Sequence, residues 1–249
     1  MGNLKLFLVV ALLSLMTCNK EKSDMENRDS IKLIKEEPLT YRLPSPRLES
    51  DRSAEEVMEK RRSRRHFVSK SIDASDVSQV LWAAYGITQK ANHKQLRGGF
   101  RTAPSAGALY PLELYLLVDK VNEIKPGVYR YLADGHQIQQ TIDHDVKLEL
   151  SAAALNQKMI HEAPACLFYS AIYERTTEKY GARGENRYVC MDLGHSAQNV
   201  YLQVEALHMG TCAIGAFSDD KVREVMQLPA KEEPLYIMPF GHYYNKREF

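Results

Sequence analysis

The chain has 249 residues, 44% hydrophobic and 26% charged. Those are the proportions of a protein that buries a core, so a fibrous repeat and wholesale disorder are excluded. Lysine and arginine number 33 against 32 acidic residues, a net charge of +1; a dedicated nucleic-acid binder carries a clear basic excess, so no nucleic-acid partner is expected. Four cysteines are too few to staple a disulfide scaffold of this length.

At the N-terminus, Lys5 precedes an apolar stretch from Leu6 to Met16 that only Ser14 interrupts. It is shorter than the roughly 20 residues a helix needs to cross a hydrocarbon layer. A charged start and a short apolar run read as a secretion signal over residues 1–17. The ending Leu15-Met16-Thr17-Cys18 resembles a bacterial lipoprotein signal, with Thr17 where Gly, Ala or Ser is usual. That resemblance implies a lipidated Cys18 and an anchor on the extracytoplasmic side of the bacterial envelope; an ordinary secretion signal or an uncleaved anchor is the alternative. Residues 18–52 are charged, carry Pro38, Pro44 and Pro46, and show no sustained apolar period. They read as a tether with an extended docking segment, ahead of a domain over 53–249.

A helix opens after Ser53, whose spacing to Glu56 is that of a capping box, and runs into the arginine-rich stretch at Lys60. A second is expected over 73–85, with Val77, Val80, Leu81 and Ala84 inward and Gly86 at its C-terminus. Leu112 to Val118 reads as a strand, and 127–131 with 137–142 as a hairpin turning at Asp134-Gly135. Ala165 to Ala171 reads as a buried strand. The longest helix is expected over 186–209, apolar on most faces and therefore central. Residues 211–217, a capped helix over 218–227 and a strand over 235–241 follow. This mingling of helices and strands points to an α+β fold.

Cys166, Cys190 and Cys212 form no C-x-x-C pair and read as small core hydrophobes. G-x-G-x-x-G and G-x-x-x-x-G-K-[ST] are both missing, which removes a Rossmann fingerprint and a P-loop. No G-x-S-x-G or H-E-x-x-H occurs either. Glu205 and His208 have the spacing used in di-iron bundles, but such a site needs two copies, so no metal is expected. Asp192 and His195 share a face of the long helix, more in keeping with a packed hydrogen bond than a metal site. The run Lys60-Arg61-Arg62-Ser63-Arg64-Arg65 allows two readings. It is either a solvated helix end favoured by the helix dipole, or an anion site of guanidinium forks and a hydroxyl. Two small-residue segments, Pro104-Ser105-Ala106-Gly107-Ala108 and Cys212-Ala213-Ile214-Gly215-Ala216-Phe217, offer close backbone approach to a flat ligand. An anion-binding run and two such segments suit a phosphorylated planar cofactor.

On these segments the chain resembles the FMN-dependent nitroreductase superfamily from about Ala54 onward. Arg61 to Phe67 looks like the family's opening R-x-S-x-[RK]-x-[FY], which implies that Arg61, Arg62, Ser63 and Arg65 hold the phosphate and ribityl chain of FMN. Pro104, Ser105, Ala106 and Gly107 look like the P-S-x-G segment that covers the flavin from the partner subunit. Ile214, Gly215 and Ala216 match the segment whose N–H groups reach flavin N5 and O4; many relatives have Glu-Gly at the last two. Lys246 and Arg247 resemble a terminal basic pair that also touches phosphate. Ala103 to Pro111, Gly127 to Tyr131 and Ala213 to Phe217 look most like the SagB-type dehydrogenases, which oxidise azoline rings in ribosomal peptides.

The resemblance implies a nitroreductase-like fold, with a central mixed or antiparallel sheet flanked by helices. It implies an intertwined homodimer and two-electron flavin chemistry on a small-molecule or peptide-derived substrate. Tyr188, Asp192 and His195 are the candidates for moving protons. A lipid-anchored protein outside the cytoplasm meets little NAD(P)H, which favours the SagB-like direction, with the substrate as hydride donor. The alternatives are a non-catalytic flavin-binding lipoprotein and a relative whose cofactor site has decayed.

Overall fold

The computed structural model describes residues 30–244, and every pairing between its strands is antiparallel. The strands are β1 (Lys32–Glu36), β2 (Leu39–Arg42), β3 (Ile87–Lys90), β4 (Gly99–Arg101), β5 (Leu112–Val118), β6 (Gly127–Leu132), β7 (Gln137–Ile142), β8 (Ala165–Ala171), β9 (Gly210–Thr211) and β10 (Glu233–Gly241). The helices are α1 (Ala54–Lys60), α2 (Ala74–Tyr85), α3 (Lys147–Ala153), α4 (Met159–Glu162), α5 (Glu174–Tyr180), α6 (Cys190–Ala206) and α7 (Asp219–Val225). Eight strands form one sheet in the order β1-β2-β7-β6-β5-β8-β10-β9, and β3 with β4 makes a separate hairpin.

Alternation along the central strands builds the layers. Leu112, Leu114, Leu116 and Val118 of β5 enter one apolar cluster with Leu167 and Tyr169 of β8. Tyr115 and Leu117 enter a second with Cys166 and Phe168. Successive strand side chains point to opposite faces, so a strand apolar at both parities needs a cover on both sides. Residues of α2 and α6 close the first cluster, and residues of α3, α4 and α7 close the second. Each large apolar side chain so enclosed contributes roughly 1.5–3 kcal/mol.

The expected elements at β5, β7 and β8 match to the residue, and the α+β class is shown. Other expectations need correction. The sheet begins well before Ser53: Leu39, Tyr41 and Leu43 are buried in the first cluster, and β2 pairs with β7. Gly86 does not take the left-handed conformation of a C-cap glycine; its φ is −66°. What it provides is space, since a Cβ there would lie 2.3 Å from Trp82 Cδ1. The long helix starts as a π turn over Gly184–Val189, becomes α-helical at Cys190 and ends at Ala206. It is not buried all round: Asp192, Leu193, Ser196, Ala197 and Val200 face inward, while Met191, Gly194, His195 and Gln198 are exposed. Cys190 is exposed too, unlike the buried Cys166 and Cys212. No described helix is long and apolar enough to cross a membrane.

Candidate functional site

Ser53 caps α1 by accepting the Glu56 N–H at 3.1 Å, and the chain leaves the helix at Arg61, whose φ of −52° and ψ of 123° end the helical backbone. In extended backbone, neighbouring side chains point to opposite sides, and the run divides accordingly. Arg61 and Ser63 face Tyr201 of α6: the Arg61 guanidinium lies 5.3 Å from the centre of that ring, and Ser63 Oγ is 3.1 Å from its hydroxyl. Arg64 turns the other way, across Gly210 and over the Tyr243 ring at 4.6 Å. Arg62 folds back to donate to the carbonyls of Glu59 and Arg61 at 2.9 and 2.8 Å, so its head caps the end of α1. Arg65 is exposed. A parallel bridge joins Ser63 to Thr211, and Arg64 N–H donates to Thr211 O at 2.8 Å, which seats the run beside β9.

The Tyr201 hydroxyl also accepts the Ala213 N–H, at 2.8 Å. Ser63, Tyr201 and Ala213 thus form one hydrogen-bonded line from the arginine run to the second small-residue segment. Ile214 is fixed onto β10 by paired bonds with Ile237, at 2.9 and 3.0 Å. Gly215 and Ala216 then emerge exposed, and among the described residues their N–H groups have no hydrogen-bond acceptor. A Cβ at position 215 would lie 3.1 Å from the Tyr236 ring, so glycine keeps this approach open. Tyr201 was not legible as a site residue, because its partner Ser63 is 138 positions away and no local pattern marks the pair.

The first small-residue segment gathers elsewhere. Ala106 N–H donates to Asp192 Oδ1 at 3.2 Å, and His195 Nδ1 lies 3.4 Å from Pro104 O. Ser105 Oγ accepts the Tyr110 N–H at 2.9 Å. Gly107 has φ +63°, and a Cβ there would meet the Tyr180 hydroxyl at 2.6 Å and the Lys179 ammonium at 3.1 Å. Tyr188 packs edge-on against Tyr180 at 4.8 Å. Tyr188, Asp192 and His195 are therefore all grouped around residues 104–107. Sequence reasoning missed Lys179 and Tyr180 in the same group; their charge and ring look like ordinary helix surface. Asp192 is 2% exposed; burial raises its pKa, with Ser105 and the Ala106 N–H pulling the other way. Its Oδ2 is buried without a hydrogen-bond partner among the described residues.

Both groups lean on α6, on opposite sides of it. Tyr201 follows Asp192 by nine residues, which at 3.6 residues per turn is half a turn out of phase and about 13 Å further along the axis. Each segment thus lies against its own side of α6. Glu205 and His208 serve neither: Arg52 reaches Glu205 Oε1 at 3.3 Å and His208 Nδ1 at 2.9 Å. Among the described residues no group of three or more His, Cys, Asp or Glu side chains could hold a metal ion. Cys18, Lys246 and Arg247 lie outside the described residues; the last described ones run beside the arginine stretch, with Tyr244 N–H donating to His66 O at 3.1 Å.

The family model for the nitroreductase family matches residues 58–242. A Methanocaldococcus jannaschii protein provisionally named a nitroreductase is 46% identical over 187 residues, covering 75% of this chain and 89% of its own. The microcin B17-processing protein McbC of Escherichia coli is 27% identical over 147 residues, 57% of this chain and 54% of that protein. Among solved structures, a provisionally named nitroreductase from Ralstonia eutropha shares the fold with a TM-score of 0.69 at 24% identity, covering 83% of this chain and 90% of that one. A chain of the Escherichia coli microcin synthetase McbBCD complex with truncated pro-MccB17 bound also shares the fold, with a TM-score of 0.63 at 22% identity, over 82% of this chain and 78% of that one. Matched over most of its length by the family model and nearly half identical to one relative, the chain belongs to the nitroreductase family.

Proposed function

We propose that the protein is an FMN-dependent oxidoreductase that works as a homodimer on a small-molecule or peptide-derived substrate, in the manner of the SagB-type dehydrogenases. Family membership supports the oxidoreductase class, and the likeness to a microcin-processing protein supports the peptide-derived substrate. One observation carries the cofactor reading: the line Ser63–Tyr201–Ala213 connects guanidinium groups to a segment with two unpaired N–H groups. These donors fit the group at both ends, a phosphate at Arg61 and Ser63 and a ring acceptor at Gly215 and Ala216. Charge-assisted bonds are about twice as strong as neutral ones, so Arg61 supplies most of the grip. The bound flavin would supply two-electron transfer. Gly215 and Ala216 N–H groups would stabilise charge that develops on an acceptor held against them, as fixed donors do in an oxyanion hole.

The covering segment, residues 104–107, sits on the far side of α6 from Tyr201. A second subunit is what would bring its Ser105 and Gly107 over the first subunit's Arg61 and Gly215. Tyr180, Lys179, Asp192 and His195 would come with that segment and are the groups placed to hold or move a proton. Anchoring through Cys18 outside the cytoplasm accords with a substrate that is itself the hydride donor.

The test is the absorbance of freshly purified protein and of the double variant Arg61→Ala, Arg65→Ala. The native protein should be yellow and bleach anaerobically with a substrate-type reductant, and the double variant should lose its flavin. A fully flavin-loaded variant overturns the phosphate assignment. A colourless native protein that FMN cannot reconstitute favours a decayed site, a reading for which Arg62 capping its own helix is the specific support. Flavin that no donor or acceptor turns over favours a non-catalytic binding protein.

A further inference from the structure

Between Asp76 and Glu113 the sequence holds no acidic residue, while Lys90, His93, Lys94, Arg97 and Arg101 all fall in that span. It contains the β3–β4 hairpin, whose strands pair only with each other. The tip of the hairpin folds back onto the β6–β7 turn: a Cβ at Gly98, whose φ is +103°, would lie 3.3 Å from Asp134 Cβ. An open groove of about 610 Å³ runs there, with Lys90, Lys94 and Arg97 in its wall and Asp134 as the single acidic residue lining it. Lys90 and Lys94 are exposed, and neither has an ion-pair or hydrogen-bond partner among the described residues.

The charges behind the groove do not cancel them. Arg97 meets Glu113 at 2.6 Å, and Glu113 is shared with Arg130 and Arg175. Glu232 takes Arg130 as well, at 3.0 Å. Arg101 stands behind Arg97, donating to its carbonyl at 3.3 Å. Lys90, Lys94, Arg97, Arg101, Arg130 and Arg175 outnumber Asp134, Glu113 and Glu232 by three, so the field in the groove favours an anion.

An exposed ion pair contributes about 0–1 kcal/mol. A lone small anion is therefore poorly held by Lys90 or Lys94, and useful affinity needs several charges on one chain. Nucleic acid carries a charge at every unit and would set one against Asp134; a polypeptide can place a neutral residue there. A membrane presents a plane, whereas these cations border a groove. We propose that the groove holds an acidic stretch of polypeptide, its carboxylates on Lys90 and Lys94. Gln95 Nε2 donates to Gly107 O at 2.7 Å, so the hairpin leans on the segment proposed to cover the flavin. Resting on that proposed function, the acidic stretch belongs to the peptide-derived substrate, outside the part that reacts. Binding itself does not depend on flavin, since none of residues 61–65 or 213–216 lines the groove.

The experiment is fluorescence anisotropy of the full chain with a short labelled peptide alternating glycine with glutamate. Its glutamine counterpart, a labelled oligothymidylate of the same length and vesicles containing phosphatidylglycerol are the comparisons. At low salt the glutamate peptide should bind at least about tenfold more tightly than any of the three, and added salt should erase the advantage by screening. Lys90→Glu with Lys94→Glu should weaken the peptide at least about tenfold and leave the melting temperature unchanged. Lys90→Arg with Lys94→Arg should bind as the native chain does. So should Lys125→Glu with Lys221→Glu, which changes net charge equally on exposed lysines elsewhere. Equal binding of the glutamine peptide, the oligonucleotide or the vesicles, native affinity after reversal at 90 and 94, or equal weakening by reversal at 125 and 221 overturns the proposal. A colourless chain that holds the glutamate peptide through Lys90 and Lys94 keeps the groove and loses the flavin reading; a yellow chain indifferent to the peptide does the reverse.

Discussion

Glu113 sits on a buried strand at 5% exposure with three guanidinium groups around it. Burial alone would push its carboxyl pKa up, but Arg97, Arg130 and Arg175 outweigh burial and hold it below the usual carboxylate range. A carboxyl whose pKa falls on folding stabilises the folded state above its unfolded pKa, and that contribution fades as pH drops through the folded value. Glu113→Gln keeps the shape and strips the charge, leaving half-buried Arg97 and Arg175 without a carboxylate, while Arg130 keeps Glu232 at 3.0 Å. The expected cost near pH 7 is about 3 kcal/mol, the lower end of what breaking a buried ion pair costs. Urea unfolding of both proteins at pH 7 and in steps toward about pH 3 should show the difference shrinking with acid. A gap that stays constant across the series means that the charge was not responsible.

At the scale of elements, Gly107 is where the covering segment and α5 meet. Its φ of +63° suits glycine, and a Cβ would press on the Tyr180 hydroxyl at 2.6 Å. Gly107→Ala should cost about 1–3 kcal/mol through left-handed strain and displace Tyr180, read as a lower melting temperature with a changed near-ultraviolet tyrosine signal. An unchanged melt would show that the segment yields freely. The same elements show what the sequence could reveal. Strands β5 and β8 were legible because apolar residues occupy both parities in each, with Glu113 and Ser170 the single polar interruptions. The pair β1 and β2 was not: Leu39, Tyr41 and Leu43 alternate over only five positions between Pro38 and Pro44, and their burial depends on β7 about 100 residues later. The arginine run and the two small-residue segments were legible as local motifs. Tyr201, Lys179 and Tyr180 join them only through folding, since each meets its segment from a distant part of the chain.

For the whole molecule, the question is what covers the outer face of α6. That helix reads as apolar on most sides in sequence, yet Met191 is 50% exposed, and a Cβ at Gly194 would find nothing within 4 Å. If the chain acted alone, an added side chain at Gly194 would enter solvent and, glycine being a poor helix former, would stabilise α6 by up to about 1 kcal/mol. If a second copy packs on this face, as the half-turn separation of Tyr201 and Asp192 requires for one ligand to touch both segments, a bulky cation there blocks association. Obligate dimers bury more than roughly 2,000 Å², so their association is not replaced by a few other contacts. Gly194→Arg should therefore sediment as a folded monomer, keep its far-ultraviolet circular dichroism, and lose flavin together with the dimer; residue 194 lies about two turns, roughly 10 Å, along α6 from Tyr201. A variant that stays dimeric moves the interface off this face. A flavin-loaded monomer would mean that one chain suffices, and the two segments on opposite sides of α6 would have to serve different ligands.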